Sequence, residues 1–227
     1  MFLEDLNWMD VESYLQQDDR VILITGATEQ HAFLSLFTDI RIPRSLAAAV
    51  TMRTNVLVVP PLNFGMSAYF AAYPGTVSIS QATFNQVMTE IVASLVQQGF
   101  RRMLILNGHG GNEFPAGVQQ LASEHDDLKV KWHNWWQGPV AKQTMAELGH
   151  EGTHANWLEN FTFTRVAESP QAEKPFLEAD MAASPQAVRE ALGDGSFGGV
   201  YQMPDHVMQK FFDRLVDEIV LLLEEWD

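Results

Sequence analysis

The sequence predicts an α/β fold, a single-domain layered structure in which helices flank a mainly parallel sheet. Short β-type runs alternate along the chain with longer amphipathic helical patterns, which is typical of layered α/β proteins. Three of the runs, at residues 21–25, 56–59 and 103–106, are continuously apolar. Strands with this pattern are expected to be buried on both faces, as in a parallel sheet covered by two layers of helices.

The elements are predicted in chain order from the same patterns. The strands are expected at residues 21–25, 56–59, 103–106 and 129–135. A helix between the second and third strands is predicted to begin after Ser80, a plausible N-cap, and to end near Gly99. Its apolar residues recur at helical spacing: Phe84, Val87, Met88, Ile91 and Leu95. Another helix is expected after the fourth strand, and the last begins just after Pro204.

The composition limits the function classes that are open to this chain. Its 14 Lys and Arg residues stand against 29 Asp and Glu residues, which gives a formal charge of −15. This charge argues against nucleic acid or an acidic membrane surface as a partner. The chain has no cysteine, which excludes disulfides, thiol nucleophiles and iron–sulfur clusters. Any bound metal must therefore be held by His, Asp and Glu.

The length and the N-terminus predict one cytoplasmic domain. A chain of 227 residues without linkers or repeats is expected to form a single domain over residues 1–227. The N-terminal residues start acidic and lack the basic and apolar regions of a signal peptide. No apolar run approaches the roughly 18 residues of a membrane span.

Polar residues concentrate in the loops that follow the strands, where open α/β sheets bind their ligands. The loop after the first strand carries Glu29 and His31, whose side chains point to one side if the segment is extended, and Asp39 follows. Two carboxylates and an imidazole suit Zn²⁺, Mn²⁺ or Fe²⁺. The alternative is a helix-capping acid, a core histidine and a surface aspartate.

A glycine-rich loop follows the third strand directly. Its sequence NGHGGN places His109 at the carboxyl end of that strand, between Gly108 and the pair Gly110 and Gly111. Glycines let the backbone approach a ligand closely, and their N–H groups could face an oxyanion. A phosphate-binding loop is the rival interpretation, but the sequence has neither GxxxxGK[ST] nor GxGxxG.

The fourth polar segment, GHEGTHANWLEN, carries His154 and Glu159. If residues 156–163 begin a helix, His154 stands at its N-terminal entrance and Glu159 lies in its second turn. Ordinary surface polarity explains the same spacing about equally well.

Together, these segments resemble the creatininase (creatinine amidohydrolase) family. GATEQHAFLSLFTD resembles the family's G-x-x-E-Q-H-G-x-H-L-P-x-x-T-D, and PPLNFGMSAYFAAYPGT resembles P-P-x-x-Y-G-x-S-x-x-H-x-x-F-P-G-T. NGHGGN matches a family signature, and HANWLEN resembles H-A-G-x-x-E-T. The motifs occur in the family's order, between residues 21 and 160.

The resemblance implies two divalent metal ions, Zn²⁺, Mn²⁺ or Fe²⁺, bound in this chain by Glu29, His31, Asp39 and His109, with Asp39 as the bridge. Creatininase itself takes a fifth ligand from a glutamate two residues beyond the NGH histidine, where this chain has Gly111. The predicted fifth ligand is therefore Glu159, with Glu113 as the alternative. His154 matches the histidine to which the family assigns proton transfer, so His154 and Glu159 are the predicted catalytic residues.

The function that the resemblance implies is hydrolysis of a C–N amide bond in a small cyclic amide or formamide by a metal-activated water. A non-catalytic small-molecule-binding member of the family and a one-metal hydrolase or lactonase are the alternatives. The family also implies a homo-oligomer, which in this family is often a hexamer.

Departures from the family pattern concern the substrate. Phe70 replaces a histidine of the second motif, and Asn156 replaces the glycine of H-A-G. Creatinine is therefore not the expected substrate, and the aromatic residues suggest an apolar pocket, although core packing is the alternative for each. The predicted substrate-binding residues are Phe70, Tyr73, Gly110, Gly111 and Trp157. The glycine-rich residues 193–199 either close over the site or form a plain connection before the last helix.

Overall fold

The computed structural model describes residues 1–226, so Asp227, the last residue of the predicted domain, lies outside the described part. One four-stranded sheet, entirely parallel, has the strand order β2-β1-β3-β4. The strands are β1 (Arg20–Thr25), β2 (Leu57–Val58), β3 (Arg102–Asn107) and β4 (Lys129–Asn134). The register aligns Thr25, Asn107 and Asn134, so the loops after β1, β3 and β4 leave the same edge of the sheet.

Helices cover both faces of this sheet, which confirms the predicted α/β class. They are α1 (Trp8–Leu15), α2 (Thr38–Thr54), α3 (Gln81–Gln98), α4 (Ala116–Glu124), α5 (Pro139–Leu148), α6 (Pro185–Leu192) and α7 (Asp205–Glu224). Apolar side chains of α2, α5 and α7 pack on one face of the sheet, and those of α1, α3 and α4 pack on the other. Strands β1, β2 and β3 are buried between these two layers, as their continuous apolar runs predict, whereas the edge strand β4 is partly exposed.

Two of the predicted helices begin and end as the sequence indicates. The Ser80 side chain accepts a hydrogen bond from the Thr83 amide and so caps α3. Gly99 ends the same helix with a φ of 112°, a left-handed conformation that glycine adopts without strain. Helix α7 begins directly after Pro204.

Helix α2 was not predicted, and its presence corrects the expectation that Asp39 lies in a loop. Its sequence contains Pro43 and polar residues on several sides, which weakens the helical signal. Tertiary packing decides the outcome, because Ile42, Leu46 and Val50 are fully or almost fully buried against the sheet. Asp39 consequently lies in the first turn of α2, held by a rigid element.

The predicted helix over residues 156–163 is also absent. Only Trp157–Glu159 form a helical turn, of the 3₁₀ type. The Asn156 side chain caps this turn by accepting from the Leu158 amide, and Asn160 leaves the helical region at φ −88° and ψ 64°. Glu159 is therefore held by a short capped turn.

Within residues 1–226, none of the helices combines the length and the apolar character that a membrane span requires.

Candidate metal centre

Five acidic and histidine side chains converge beyond the carboxyl ends of β1 and β3. They are Glu29 and His31 from the loop after β1, Asp39 from the first turn of α2, His109 from the loop after β3, and Glu159 from the 3₁₀ turn. All except Glu159 are almost completely buried, and the Glu159 side chain is 13% exposed. The β1 and β3 loops meet because these strands are neighbours in the sheet.

Asp39 lies at the middle of the cluster. Its Oδ1 atom lies 2.9 Å from Nε2 of His31, and its Oδ2 atom lies 2.9 Å from Nδ1 of His109. Each carboxylate oxygen of Asp39 thus faces a different imidazole.

One further carboxylate accompanies each imidazole. Glu29 Oε1 lies 3.4 Å from Nδ1 of His109, and Glu159 Oε2 lies 3.8 Å from Nε2 of His31. The potential ligand atoms therefore form two groups that share Asp39: Glu29, Asp39 and His109, and His31, Asp39 and Glu159. Within each group, all of these atoms lie within 4.8 Å of one another.

Both imidazoles are oriented by the nitrogen that faces away from the cluster. Nδ1 of His31 lies 3.1 Å from the carbonyl oxygen of Glu29, and Nε2 of His109 lies 3.0 Å from that of Met66. When a neutral ring donates to its carbonyl, Nε2 of His31 and Nδ1 of His109 have a lone pair on the side of the carboxylates that a metal ion could bind. Metal-binding histidines are typically held in this way.

The cluster has polar atoms that the protein itself does not satisfy. Among the described residues, Glu29 Oε2, His31 Nε2 and Asp39 Oδ2 are buried without a hydrogen-bond partner. Asp39 Oδ2 and His31 Nε2 therefore take part in short contacts without forming a hydrogen bond. Since buried polar atoms are normally paired, these atoms and their hard or borderline donor types fit a divalent metal site.

The electrostatics of the cluster reflect the mutual pairing of these groups. Burial disfavours the charged form of His31, but the carboxylates of Asp39 and Glu159 outweigh it and raise its pKa to about 10. Burial likewise opposes ionisation of Asp39, yet His31 and His109 hold its pKa below the usual value. Burial raises the pKa of Glu159 to about 7 despite the opposing effect of His31.

His154 lies beside this cluster and is tied to the loop after β1. Its ring centroid is 4.4 Å from that of His31, and Nδ1 is 3.7 Å from Glu29 Oε1. Nε2 lies 3.0 Å from the carbonyl oxygen of Gln30 and 2.9 Å from the amide nitrogen of the Gln30 side chain. Burial and the neighbouring His31 lower the pKa of His154 to about 4, so its ring is neutral at pH 7. Nδ1 is therefore its available nitrogen.

The arrangement agrees with a comparison against protein families. The family model described as "Creatininase: Creatinine amidohydrolase" matches residues 4–223. The chain belongs to the creatininase family. This confirms the resemblance that the sequence motifs indicate.

Relatives in the creatininase family have several named activities. The chain is 29% identical over 166 residues to the creatinine amidohydrolase of Pseudomonas putida, covering 67% of this chain and 64% of that protein. It is 35% identical over 145 residues to the mycofactocin precursor peptide peptidase of Mycolicibacterium smegmatis, covering 61% and 48%. The matched stretches thus span less than two thirds of either relative.

The solved structures of the family share the fold. A manganese form of creatininase superimposes with a TM-score of 0.79 at 21% identity, covering 99% of this chain and 98% of the other. At this identity the similarity concerns the fold alone.

The main chain at Gly111 packs closely on its neighbours. A Cβ atom at Gly111 would lie 2.4 Å from the carbonyl oxygen of Met66 and 2.6 Å from Nε2 of His109. The main chain is therefore too closely packed for a glutamate at this position. Glu159 lies in the cluster, whereas the alternative fifth ligand, Glu113, is exposed and belongs to none of the potential ligand groups.

A cavity of about 470 Å³ opens onto the cluster, and its lining can be compared with the predicted substrate-binding residues. Phe70, Gly110 and Gly111 line it, together with His154. Trp157 and Tyr73 do not line the cavity, so their prediction as substrate contacts is corrected. Each of the two side chains packs elsewhere.

Trp157 is fully buried in the core, where its Nε1 donates to the Glu151 carbonyl at 3.0 Å. The Tyr73 hydroxyl donates to the Gly193 carbonyl at 3.3 Å, and the ring packs edge-to-face on Phe70. Both aromatic side chains therefore pack beneath the surface of the cavity and do not form part of it.

Sequence reasoning missed several residues of the site. Gln30 lies between Glu29 and His31 in the EQH motif, and this position could have identified it as a residue of the site. Met181 lines the cavity from a segment outside the family motifs, so no pattern singles it out. Trp136 also lines the cavity, and it is one of the aromatic residues for which the sequence leaves pocket and core packing as alternatives. Phe197 belongs to the glycine-rich residues 193–199, which lie against the site and include a carbonyl bonded by Gln30.

Proposed function

We propose that this protein is a metal-dependent amidohydrolase that cleaves a C–N amide bond of a small cyclic amide or formamide. The observation that carries the proposal is the pair of ligand groups sharing Asp39, with one carboxylate oxygen facing each imidazole. Glu29, Asp39 and His109 would hold one ion, and His31, Asp39 and Glu159 the other. Zn²⁺, Mn²⁺ or Fe²⁺ suits these donors.

The reaction adds water across the amide: a C–O bond forms at the carbonyl carbon, the C–N bond breaks, and an acid and an amine result. Two bound divalent ions would lower the pKa of a water molecule and polarise the carbonyl group. The remaining requirements of the reaction fall to side chains and main-chain groups that line the cavity.

His154 meets the requirement for proton transfer. Its low pKa keeps the ring neutral at pH 7, so Nδ1 can accept a proton from the attacking water. The resulting imidazolium then donates that proton to the departing nitrogen, which would otherwise leave as a highly basic amide anion. Donation from Nε2 to the Gln30 carbonyl oxygen holds the ring with Nδ1 on the side of the Glu29 carboxylate.

The glycines after His109 have a positioning role in this proposal. Gly110 and Gly111 line the cavity next to His109, so their main chain is accessible to a bound substrate. Without side chains, they allow the amide to approach closely. We assign the main-chain N–H groups of this segment to the carbonyl oxygen of the substrate.

We further propose that residues 1–227 act as one domain and that the chain forms a homo-oligomer, as the family resemblance implies. The matched range of residues 4–223 supports the first of these points. The second rests on the family resemblance alone, and sedimentation analysis would test it.

The decisive experiment is metal analysis of protein purified without chelator or metal-affinity resin, combined with assays on cyclic amides and N-formyl amines. About two divalent ions per chain and metal-dependent release of amine are expected. One ion with hydrolytic activity would replace the proposal with the one-metal hydrolase. No bound ion after addition of Zn²⁺ or Mn²⁺ would leave a non-catalytic binding protein.

A further inference from the structure

The cavity has a polar part at the cluster and a mainly apolar part elsewhere. Its titratable acids and imidazoles are all members of the metal cluster or His154. The side chains that line the rest of the cavity are mainly aromatic or aliphatic: Tyr69, Phe70, Trp136, Leu158, Met181 and Phe197. Since the cluster groups are committed to metal and proton transfer, the part of a substrate beyond its amide meets mostly carbon.

Cationic side chains near the cavity are engaged elsewhere. Lys174 Nζ donates to the carbonyl oxygens of Leu192 and Ser196 and pairs with Asp194. Arg189 donates to the Ala72 carbonyl at 2.8 Å. Neither cation lines the cavity, so with the scissile amide at the metal ions a carboxylate or phosphate elsewhere on the substrate would be desolvated without a side-chain partner. Burying such an unpaired charge is strongly unfavourable.

Two aromatic rings of the apolar wall contact His154 and each other. The Phe70 ring stacks on the imidazole with centroids 4.9 Å apart and an interplanar angle of 29°. Phe197 lies against the same imidazole at 5.2 Å. Phe70 is itself almost completely buried in a small apolar cluster formed with α6, so the wall is a packed structure.

We propose that the occupant of this cavity is a small amide whose substituent is neutral, apolar and aromatic, and that the site discriminates against charged analogues. This inference rests on the proposed function for the position of the scissile amide. Aromatic groups suit these walls because offset-stacked and edge-to-face ring contacts add to the burial of apolar area. Phe70, Phe197 and Met181 are the specificity-determining residues in this proposal.

The test compares two ligands that differ by one carboxylate, N-benzylformamide and N-formylphenylglycine. Binding of each to the protein as isolated with its metal is measured by calorimetry, and hydrolysis is measured by release of amine. N-benzylformamide is expected to bind at least ~10-fold more tightly, because the amide carbonyl takes the place at the metal ions and the carboxylate then finds no cationic side chain in the cavity wall. Equal or tighter binding of the anion, or binding of neither ligand, overturns the proposal.

A variant that adds a cation to the wall tests the cause of this preference. Met181→Arg places a guanidinium at the cavity, and it is expected to tighten binding of N-formylphenylglycine by about 10-fold while weakening that of N-benzylformamide. Met52→Arg makes the same change at a side chain that is 86% exposed and outside the cavity lining, and it controls for the altered net charge. An equal effect of both variants overturns the assignment of Met181.

The two readouts separate this inference from the proposed function. Selective binding of the neutral ligand without hydrolysis of any amide would contradict the amidohydrolase and leave the apolar specificity intact. Hydrolysis of both ligands at comparable efficiency would support the amidohydrolase and contradict the specificity.

Discussion

Glu159 Oε2 lies 3.8 Å from Nε2 of His31, although the two residues belong to segments far apart in the sequence. The same Glu159 atom accepts a hydrogen bond from the Ala155 amide at 2.6 Å, which fixes the carboxylate at the edge of the cluster. Glu159, in the 3₁₀ turn, thus places a carboxylate at the cluster, to which Gly111 contributes no side chain. The contact supports Glu159 as the fifth metal ligand.

Replacement of Glu159 by Gln is expected to lower the metal content from about two ions to about one per chain and to abolish most of the hydrolysis. An amide oxygen lacks the negative charge of the carboxylate and is a weaker ligand. Elemental analysis after gel filtration measures the effect. Glu113→Gln is the matched control, since Glu113 is exposed and outside the cluster. Unchanged metal content in Glu159→Gln would argue against this ligand.

His154→Ala is expected to retain both metal ions and to lose about 10²–10⁴-fold in kcat, the usual contribution of general acid–base catalysis. The reason is that its Nδ1 atom carries the proton in the proposed reaction. The same side chain also forms a potential ligand group with Glu29 and His31. Loss of an ion in the variant would therefore identify His154 as a ligand, whereas full activity with both ions would exclude it from proton transfer.

Removal of metal by a chelator is expected to lower the melting temperature by roughly 5–10 °C. An ion present at 100 times its Kd stabilises the folded state by about 2.7 kcal/mol, and about 2–4 °C corresponds to 1 kcal/mol for a chain of this size. The unpaired buried atoms of Glu29, His31 and Asp39 are what the ion would satisfy. Differential scanning calorimetry measures the shift. His109→Ala should show a smaller chelator effect, and an equal shift would place the stabilising ion elsewhere.

Much of the fold follows from local sequence because its signals are local. The strands β1 and β3 are continuous apolar runs, and α3 lies between a Ser N-cap and a glycine that adopts a left-handed conformation. Helix α2 could not be predicted in this way, since its stability comes from Ile42 and Leu46 packing on the sheet across the chain. Its length and position depend on contacts that no local window contains.

The residues of the candidate site likewise differ in whether the local sequence predicts them. Glu29, His31, Asp39 and His109 lie in motifs of the expected kind, and the parallel register of β1 and β3 brings those motifs together. The burial of Trp157 has no such signal, and for residues 193–199, which contain Phe197, the sequence leaves closure over the site and a plain connection as alternatives. Aromatic residues serve cores and cavities alike, so only the three-dimensional packing distinguishes the two roles.

Gly108→Ala is expected to destabilise the protein by about 2–3 kcal/mol and to reduce metal occupancy. A Cβ atom at this position would lie 1.9 Å from the carbonyl oxygen of Asp39, so Asp39 and its helix must shift. Gly110→Ala is the control, because the nearest atom to its Cβ, on Trp136, is 4.0 Å away. Thermal unfolding and metal analysis compare the two, and similar stability would contradict close packing of the β3 loop on α2.

Gln30→Glu is expected to lower kcat by roughly 5–150-fold, the equivalent of the 1–3 kcal/mol lost when a buried polar group is left unsatisfied. The Gln30 side chain is oriented at both ends: its oxygen accepts from the Ala32 amide at 3.1 Å, and its nitrogen donates to the Gly195 carbonyl at 3.0 Å. A carboxylate there would place an oxygen against the Gly195 carbonyl, which loses its donor, and next to Nε2 of His154. Residues 193–199 would lose a hydrogen bond, and the negative charge would favour the protonated imidazole, which cannot accept a proton from water.

The kinetic readout distinguishes this positioning role from general destabilisation. Metal content is expected to stay at the wild-type level, because Gln30 contributes no atom to the ligand groups. Gln97→Glu, an exposed position on α3, controls for the added charge. If Gln30→Glu raised KM alone while kcat stayed unchanged, residues 193–199 would matter for substrate binding, and Gln30 would have no part in orienting the proton-transfer histidine.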